Sequence, residues 1–371
     1  MKNENGIALL LVLWVITLLT VICAEFSWTM RTETTITRNF KEGEQAAYVA
    51  EAGINKAVVE LTRSLNQPPK SSKPEDQEEQ ELPVWEPGQE PFTFTFGDYE
   101  CELTIEDENN KININAFLQE AKKNPIKLKS LLEEKIGLEG EERDTVADSM
   151  IDWWDTDHDI TGVNGAERDY YRSLDDPYDC RDGELPVIED LLLIKGIDEQ
   201  IYYGDAGSTE QATTLTPAEL EGLLRDGAAA SGAPQKQDLK NTETQGAEGF
   251  EKRNLGLVNI FTVYSSSKDF KIDINTASAE QLLLLEGMDA ETARTIVRTR
   301  TERKFASLTD RLPEFKNYGI WKKDITLRSS AEAHFYKIKS SGFVGTVTRK
   351  ITCTVLITRN NFFFMHWQEG S

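Results

Sequence analysis

The stretch MKNENGIALLLVLWVITLLTVICAEFSW, residues 1–28, joins a short polar segment to a long apolar one. Ile7 to Ala24 is 18 residues without a charge, and Thr17 and Thr20 are its only clearly polar side chains. A membrane span needs about 20 apolar residues and tolerates about 17. A cleaved secretory signal has an apolar region of about 7–15 residues that ends in a small-residue site. Here Glu25-Phe26-Ser27-Trp28 follows instead, with Trp28 placed as an interfacial residue. The stretch therefore reads as one retained membrane anchor.

Residues 29–65 contain no proline, and the first proline is Pro68. Ile36, Phe40, Ala47, Ala50, Ile54, Ala57, Val58 and Leu61 recur at helical spacing. The membrane helix is thus expected to run on into water as one amphipathic rod, about 88 Å long from residue 7 to 65 at 1.5 Å per residue. An anchor alone does not need that length. A helix that packs beside others does.

Beyond the rod, residues 66–91 are rich in proline and acid and read as a linker or exposed loop. FTFTFGDYECELTIEDE, from Phe92, alternates about Gly97-Asp98, which is a hairpin pattern. A second such pair, HFYKIKSSGFVGTVTRKITCTVLITRN, turns near Gly345-Thr346. The sequence between the pairs is mostly helical. The expected fold is α+β: a long helix packed on a small antiparallel sheet, with a helical insertion over about 108–330 and closing strands over 331–371. The aromatic tail FFFMHWQEGS is expected to form the last sheet edge. Inside the insertion, KININAFLQEA (111–121) echoes KIDINTASAEQLLLL (271–285). The first is followed by LPVIEDLLLIKGID (185–198) and the second by FASLTDRLPEF (305–315), which suggests two lobes of related design. Residues 204–250 are small, polar and of low complexity and read as a loop, with a short helix at 217–225.

The net charge of −23 argues against general nucleic-acid binding, which needs a basic face. Of four cysteines, Cys23 falls in the anchor, Cys101 and Cys353 fall in strands of one sheet where a bridge can be considered, and Cys180 lies in the insertion. No CxxC pair or Cys/His cluster occurs, which argues against zinc, and none of His158, His334 and His366 has a catalytic-looking neighbourhood.

DWWDTDHDITGVNGAERDYY, Asp152 to Tyr171, is the densest chemical signal. Asp155, Asp157 and Asp159 alternate as ligands of a hard cation would, since calcium takes six to eight oxygens. An EF-hand would also place glycine and glutamate where Ile160 and Ala166 stand, with Glu167 one position late. The residues alone leave two readings open: a calcium loop, or a solvated acidic loop beside buried Trp153, Trp154, Tyr170 and Tyr171. An acid/base enzyme would need two carboxyls of separated pKa in a cleft, and no nucleophile, metalloprotease or phosphate-loop motif occurs.

INTASAEQLLLLEGMDAETARTIVRTR, residues 274–300, resembles a helix-hairpin-helix, a module that holds DNA phosphate on the amides of a glycine-rich turn. Gly287 is present, but Asp289 replaces the second glycine, with Glu286 and Glu291 near it. Arg294, Arg298, Arg300 and Arg303 supply some positive charge. The preferred reading is a helical scaffold; a membrane-anchored DNA-uptake protein is the alternative.

Together these features resemble the K-type minor pseudopilin of type II secretion systems. The opening is similar to a type IV prepilin leader, residues 1–6 ending in Gly6, followed by an apolar helix. Gln45 to Leu61, QAAYVAEAGINKAVVEL, resembles the K-type helix, and D-W-x-D-x-D…G-A-E-x-x-Y-Y resembles its most specific motif. The resemblance implies cutting between Gly6 and Ile7 by a prepilin peptidase, and methylation of the new terminus. It implies an inner-membrane anchor over 7–28, a periplasmic helix over 29–65, and a pilin-like sheet begun in 66–107. Ile7 departs from the usual phenylalanine or methionine. Leu11 stands where most pilin-like subunits carry a glutamate, a lack that is itself a K-type feature and fits a subunit with no neighbour above it. In lipid an unpaired carboxylate there would be costly. The resemblance further implies a non-enzymatic role at the pseudopilus tip in protein export, with I-type and J-type minor pseudopilins as partners. It also implies structural calcium held by Asp155, Asp157, Asp159 and Glu167, with Asp152 and Asp182 as further ligands.

Overall fold

The computed structural model describes residues 4–66, 85, 87–88, 91–211, 254–265, 270–328 and 332–370. The chain opens with α1 (Glu4–Asn66), a single helix of 63 residues, about 95 Å at 1.5 Å per residue. Its two lipid-level threonines need no outside partner. Thr17 and Thr20 donate their hydroxyls to the carbonyls of Leu13 and Ile16 one turn back. One described helix is long and apolar enough to cross a membrane, and no residue of its apolar window is buried.

The head is a five-stranded antiparallel sheet formed by β1 (Phe92–Phe96), β2 (Tyr99–Asp107) and three strands from the end of the chain. Between them lies the insertion. It runs through β3 (Ile112–Asn113), α2 (Ile114–Ala121), α3 (Ile126–Leu131), α4 (Gly140–Trp154), α5 (Arg168–Arg172), α6 (Glu199–Gln211), α7 (Leu257–Ile260) and β4 (Phe261–Thr262). It continues through β5 (Ile272–Asp273), α8 (Ala279–Leu282), α9 (Ala290–Glu302), α10 (Tyr318–Trp321) and β6 (Ile325–Thr326). The chain then returns as β7 (His334–Val344), β8 (Val347–Ile357) and β9 (Phe362–Gly370), giving the sheet order β1-β2-β7-β8-β9. Both hairpins turn where expected, and the aromatic tail is the edge strand.

The upper part of α1 lies across this sheet. Ala46, Ala50, Ile54, Ala57, Val58 and Leu61 are buried against Cys101, Leu103, Ile338, Cys353 and Val355. Each buried isoleucine or leucine contributes roughly 1.5–3 kcal/mol, enough to fix the face that α1 presents. Lower down the stripe continues without cover: Ile36 and Phe40 are 63% and 71% exposed. The segment before β1 is not a free linker throughout, because Trp85 is buried and stacks on Phe92 at 4.5 Å; most of 66–91 lies outside the described residues.

Cys101 and Cys353 are buried and unbridged. Cys101 pairs with Gly342 and Cys353 with Ile338 on opposite sides of β7. Two strand spacings of about 4.8 Å then separate them, beyond the reach of a disulfide, whose Cα atoms sit within about 6.8 Å.

The insertion forms two lobes with separate cores, one around Trp153, Tyr171 and Phe261 and the other around Trp321, Ile296 and Leu285. A two-residue parallel ladder closes each: Ile112 with Phe261 in the first, Ile272 with Ile325 in the second. The echo noted in the sequence is sharpest in another register. IKGID (194–198) matches LEGMD (285–289), with Gly196 at φ 86° and Gly287 at φ 75°. Asp198 then accepts from the Ile201 amide and Asp289 from the Thr292 amide, both at 2.8 Å. Of the expected 204–250 loop, 204–211 belongs to α6, which kinks at Gly204; the rest, including 217–225, lies outside the described residues.

Candidate cation site

α4 carries Asp152 on a buried turn and ends at Trp154, so Asp155 leaves the helix pointing into the first lobe. Trp153 wedges edge-on against Tyr171 of α5 at 5.0 Å, which holds the start of α5 near the end of α4. Glu167, the residue just before α5, is thereby drawn against the α4 carboxylates. Asp155, Asp157 and Glu167 each offer an oxygen within 4.8 Å of the others. Asp182, at φ 52°, groups with Glu167 and His158 on the same limit.

Burial makes this cluster unusual for acids. Asp152, Asp155 and Glu167 are all no more than 5% exposed. Asp152 Oδ1 accepts from the Thr161 amide at 2.8 Å, while among the described residues no donor stands in good hydrogen-bond geometry to its Oδ2. Among the described residues no donor stands in good hydrogen-bond geometry to either Glu167 oxygen or to Asp182 Oδ1. Burial, reinforced by the charges of Asp152, Asp155 and Asp182, pushes the Glu167 carboxyl up to about 7. Burial also raises Asp152. Gly165 keeps the wall close: a Cβ there would stand 2.1 Å from Asp152 Oδ2 and 2.7 Å from the Thr161 carbonyl. Asp152, Asp155, Asp157, Glu167 and Asp182 thus converge with several acceptor oxygens bare, an arrangement that costs free energy unless a cation answers it.

Of the six expected ligands, Asp155, Asp157 and Glu167 come together. Asp152 and Asp182 lie near enough to Glu167 to raise it. Asp159 joins neither group; it is exposed, and its amide donates to Asp157 Oδ1 at 3.1 Å, shaping the loop. Two residues escaped the sequence reading. Lys122, from the end of α2, places its ammonium 3.0 Å from Asp155 Oδ2 and 2.6 Å from Asp157 Oδ2. His158 brings its Nδ1 to 4.0 Å from Asp182 Oδ2. The alternation of acids marked the loop, but no local pattern pointed to a lysine 35 positions earlier.

The second hairpin turn is turned against phosphate. Asp289 occupies it, capped on Thr292 and paired with Lys316 at 2.8 Å, so a carboxylate stands where a DNA backbone would approach. The DNA-uptake alternative is not favoured.

A membrane-length stem laid on an antiparallel sheet, with a two-lobed helical insertion, is a pilin-like fold. Residues 110–204 match the family described as Type II secretion system (T2SS), protein K, and residues 267–317 match the helix-hairpin-helix motif. Type II secretion system protein K of Pseudomonas aeruginosa is 26% identical over 197 residues, covering 52% of this chain and 58% of that protein. The Aeromonas hydrophila protein of the same description is 23% identical over 215 residues, covering 54% and 61%. The chain thus spans about three fifths of the length of these relatives. Among solved structures, the GspK-GspI-GspJ complex of the enterotoxigenic Escherichia coli Type 2 Secretion System contains a chain with a TM-score of 0.50 at 15% identity. That match covers 90% of this chain and 99% of the other. These matches bear out the resemblance to K-type minor pseudopilins, and the α+β pilin-like fold with its helical insertion.

Proposed function

We propose that this chain is a non-enzymatic minor pseudopilin of a type II secretion system, anchored in the inner membrane with its head in the periplasm. The observation that carries this reading is the division of α1. Its upper part is buried under its own sheet, while the apolar stripe through Ile36 and Phe40 stays bare. A stem so divided is completed by neighbouring stems, and I-type and J-type minor pseudopilins are the proposed neighbours. Leu11, in place of a carboxylate, and the bulky insertion suit a subunit at the tip. Maturation by a prepilin peptidase between Gly6 and Ile7, with methylation of Ile7, would free the stem for assembly. The test is Gly6→Ala in cells that secrete: unprocessed protein and lost export are expected. Processed protein with export intact would refute it.

Calcium is proposed to stiffen the first lobe. The donor set is all oxygen and negatively charged, which suits a hard cation. Asp155, Asp157 and Glu167 would hold it, aided by Asp152, while Asp182 braces the far side. Such an ion would neutralise carboxylates that otherwise repel each other. Paired Asp155→Ala and Asp157→Ala should abolish any calcium-dependent rise in melting temperature. A calcium-independent melting curve for the unaltered protein would overturn this part.

A further inference from the structure

The two edges of the sheet are finished differently. At β1 the chain covers its own stem side: Trp85 stacks on Phe92, and Lys56 of α1 holds its ammonium 4.7 Å from the centre of the Phe94 ring. At β9 it does not. Cys353 pairs with Trp367, Val355 with Phe364 and Ile357 with Phe362, so the three aromatic side chains share the face that α1 covers on β8. Their rings meet edge-on, Phe362 with Phe364 at 5.7 Å and Phe364 with Trp367 at 5.6 Å. Cys353, Val355 and Ile357 are fully buried, yet Phe362, Phe364 and Trp367 are 50%, 42% and 38% exposed. Trp367 Nε1 donates to Glu369 at 3.1 Å, so the one polar group of the row is answered and what it presents is apolar.

Height excludes lipid as the cover. Ser340, which pairs with Ile351 and through it lies level with Glu369, donates to the Ala50 carbonyl. At the other end Asn66 donates to the Arg359 carbonyl just before β9. The row thus stands beside residues 50–66 of α1. Ala50 is 22 residues beyond Trp28, about 33 Å at 1.5 Å per residue. Spacing selects a helix. α1 runs above β7, where Gly342 meets the backbone of Ala46 and Ala50. β9 lies two strands over, about 9.6 Å at 4.8 Å per strand. Packed helices stand about 8–10 Å apart. A second helix laid beside α1 at ordinary distance therefore comes down on β9, and lower on α1 the bare Ile36 and Phe40 suit the same kind of neighbour.

We propose that Phe362, Phe364 and Trp367 are the seat for the stem helix of a neighbouring minor pseudopilin, laid alongside α1 with its apolar face on the aromatic row. This rests on the reading of the chain as a minor pseudopilin and names the surface of the head that receives the partner. Phe363, which pairs with Leu356 on the opposite face and is 55% exposed, lies outside the seat.

The experiment places photoreactive p-benzoylphenylalanine at position 364 or 363 of the full-length protein, in secreting cells that also make tagged I-type and J-type minor pseudopilins. Illumination should join position 364 to the amino-terminal helix of one of them, read by mass spectrometry, with the adduct from position 363 at least fivefold weaker. Trp367→Asp should lower co-isolation of that partner at least fivefold, while Phe363→Asp leaves it within twofold; both purified variants should melt as the unaltered protein does. Adducts to a strand of the partner, to a second copy of this chain, or equally from both positions would overturn the seat. A partner that co-isolates with the unaltered protein yet forms no adduct at position 364 would overturn it too and leave the minor-pseudopilin reading standing. Co-isolation of neither partner with the unaltered protein would sink both.

Discussion

Arg328 donates from Nη1 to Asn110 Oδ1 at 2.8 Å, although the two residues lie 218 positions apart. Asn110 is where the chain leaves the sheet for the insertion, and Arg328 is where it comes back. The same guanidinium reaches Asp107 Oδ2 at 3.5 Å and the Lys271 carbonyl at 2.6 Å, and the Arg328 amide donates to Asp273 Oδ2 at 2.9 Å. Thr276 and Gln281 of the second lobe also donate to Asp107, at 2.9 and 3.2 Å. One buried cation therefore ties the sheet to the second lobe. Arg328→Ala would leave Asp107, fully buried, without its counter-charge. Removing one member of a buried pair costs about 3–5 kcal/mol. The expected result is a melting temperature lowered by several degrees and faster proteolysis within 270–328. Arg328→Lys should recover only part, since an ammonium cannot reach several carbonyls at once. A wild-type melting curve for Arg328→Ala would contradict the neck described here.

A second prediction concerns how closely α1 lies on the sheet. Gly342 of β7 meets the helix backbone directly: a Cβ there would stand 2.1 Å from the Ala46 carbonyl oxygen and 2.7 Å from the Ala50 nitrogen. Beside it, Ser340 donates its hydroxyl to the Ala50 carbonyl at 2.8 Å. Backbone cannot step aside as a flexible side chain can. Gly342→Ala should cost about 1–3 kcal/mol or more through overpacking. Thermal unfolding read by near-ultraviolet circular dichroism checks it. The same change at Gly319, where an added Cβ meets nothing within 4 Å, is the control.

The stem, both hairpins, the edge strand and the place of the insertion were legible in the sequence. In each case local pattern and global packing agree: period 3.6 in Ala50-Ile54-Ala57-Leu61, period 2 in FTFTF and in His334 to Val344. The acid loop was legible as an acid loop because its donors sit close in sequence. What the sequence withheld is what distance in space decides. Lys122 reaches Asp157 across 35 residues and Arg328 reaches Asn110 across 218, and no periodicity records either meeting. Asp159 stands apart from the others: alternation placed it among the ligands, and in the fold it is an exposed residue whose amide donates to Asp157 Oδ1. The pair of cysteines was misleading for a related reason: both were assigned to one sheet, yet only strand order reveals that β7 stands between them.

The second hairpin turn should leave a mark on acid stability. Asp289 pairs with Lys316 and caps α9 through the Thr292 amide, and together these hold its carboxyl at about 2, below the usual 3.8. A carboxylate whose folded value is depressed adds stability above its unfolded value. That stability is lost as pH falls through the folded one. The window is therefore between about pH 4 and pH 2. The side chain is 36% exposed, so solvent screening reduces the gain to about 1 kcal/mol at neutral pH. Asp289→Asn keeps a cap but loses the charge. Its stability relative to wild type should be lower at pH 6 and converge near pH 2, measured by urea unfolding at each pH. A gap independent of pH would show that the cap alone matters.

Lys122 sets the sign of the last prediction. Its ammonium lies against Asp155 and Asp157, two of the oxygens proposed for calcium, at 3.0 and 2.6 Å. These bonds raise the Lys122 pKa and, with the Asp159 amide, lower that of Asp157, so the pair is charged at neutral pH. An ion entering the pocket must displace this ammonium, which is 39% exposed and anchored only by its partners. Lys122→Met removes the competing cation while keeping most of the side-chain volume. In the metal-free protein it should lower the melting temperature slightly, because Asp155 is buried and loses its counter-charge. With calcium it should do the reverse, tightening binding several-fold and raising the calcium-induced shift in melting temperature. If Lys122→Met instead weakens calcium binding, the lysine would be organising the carboxylates for the ion rather than standing in its place.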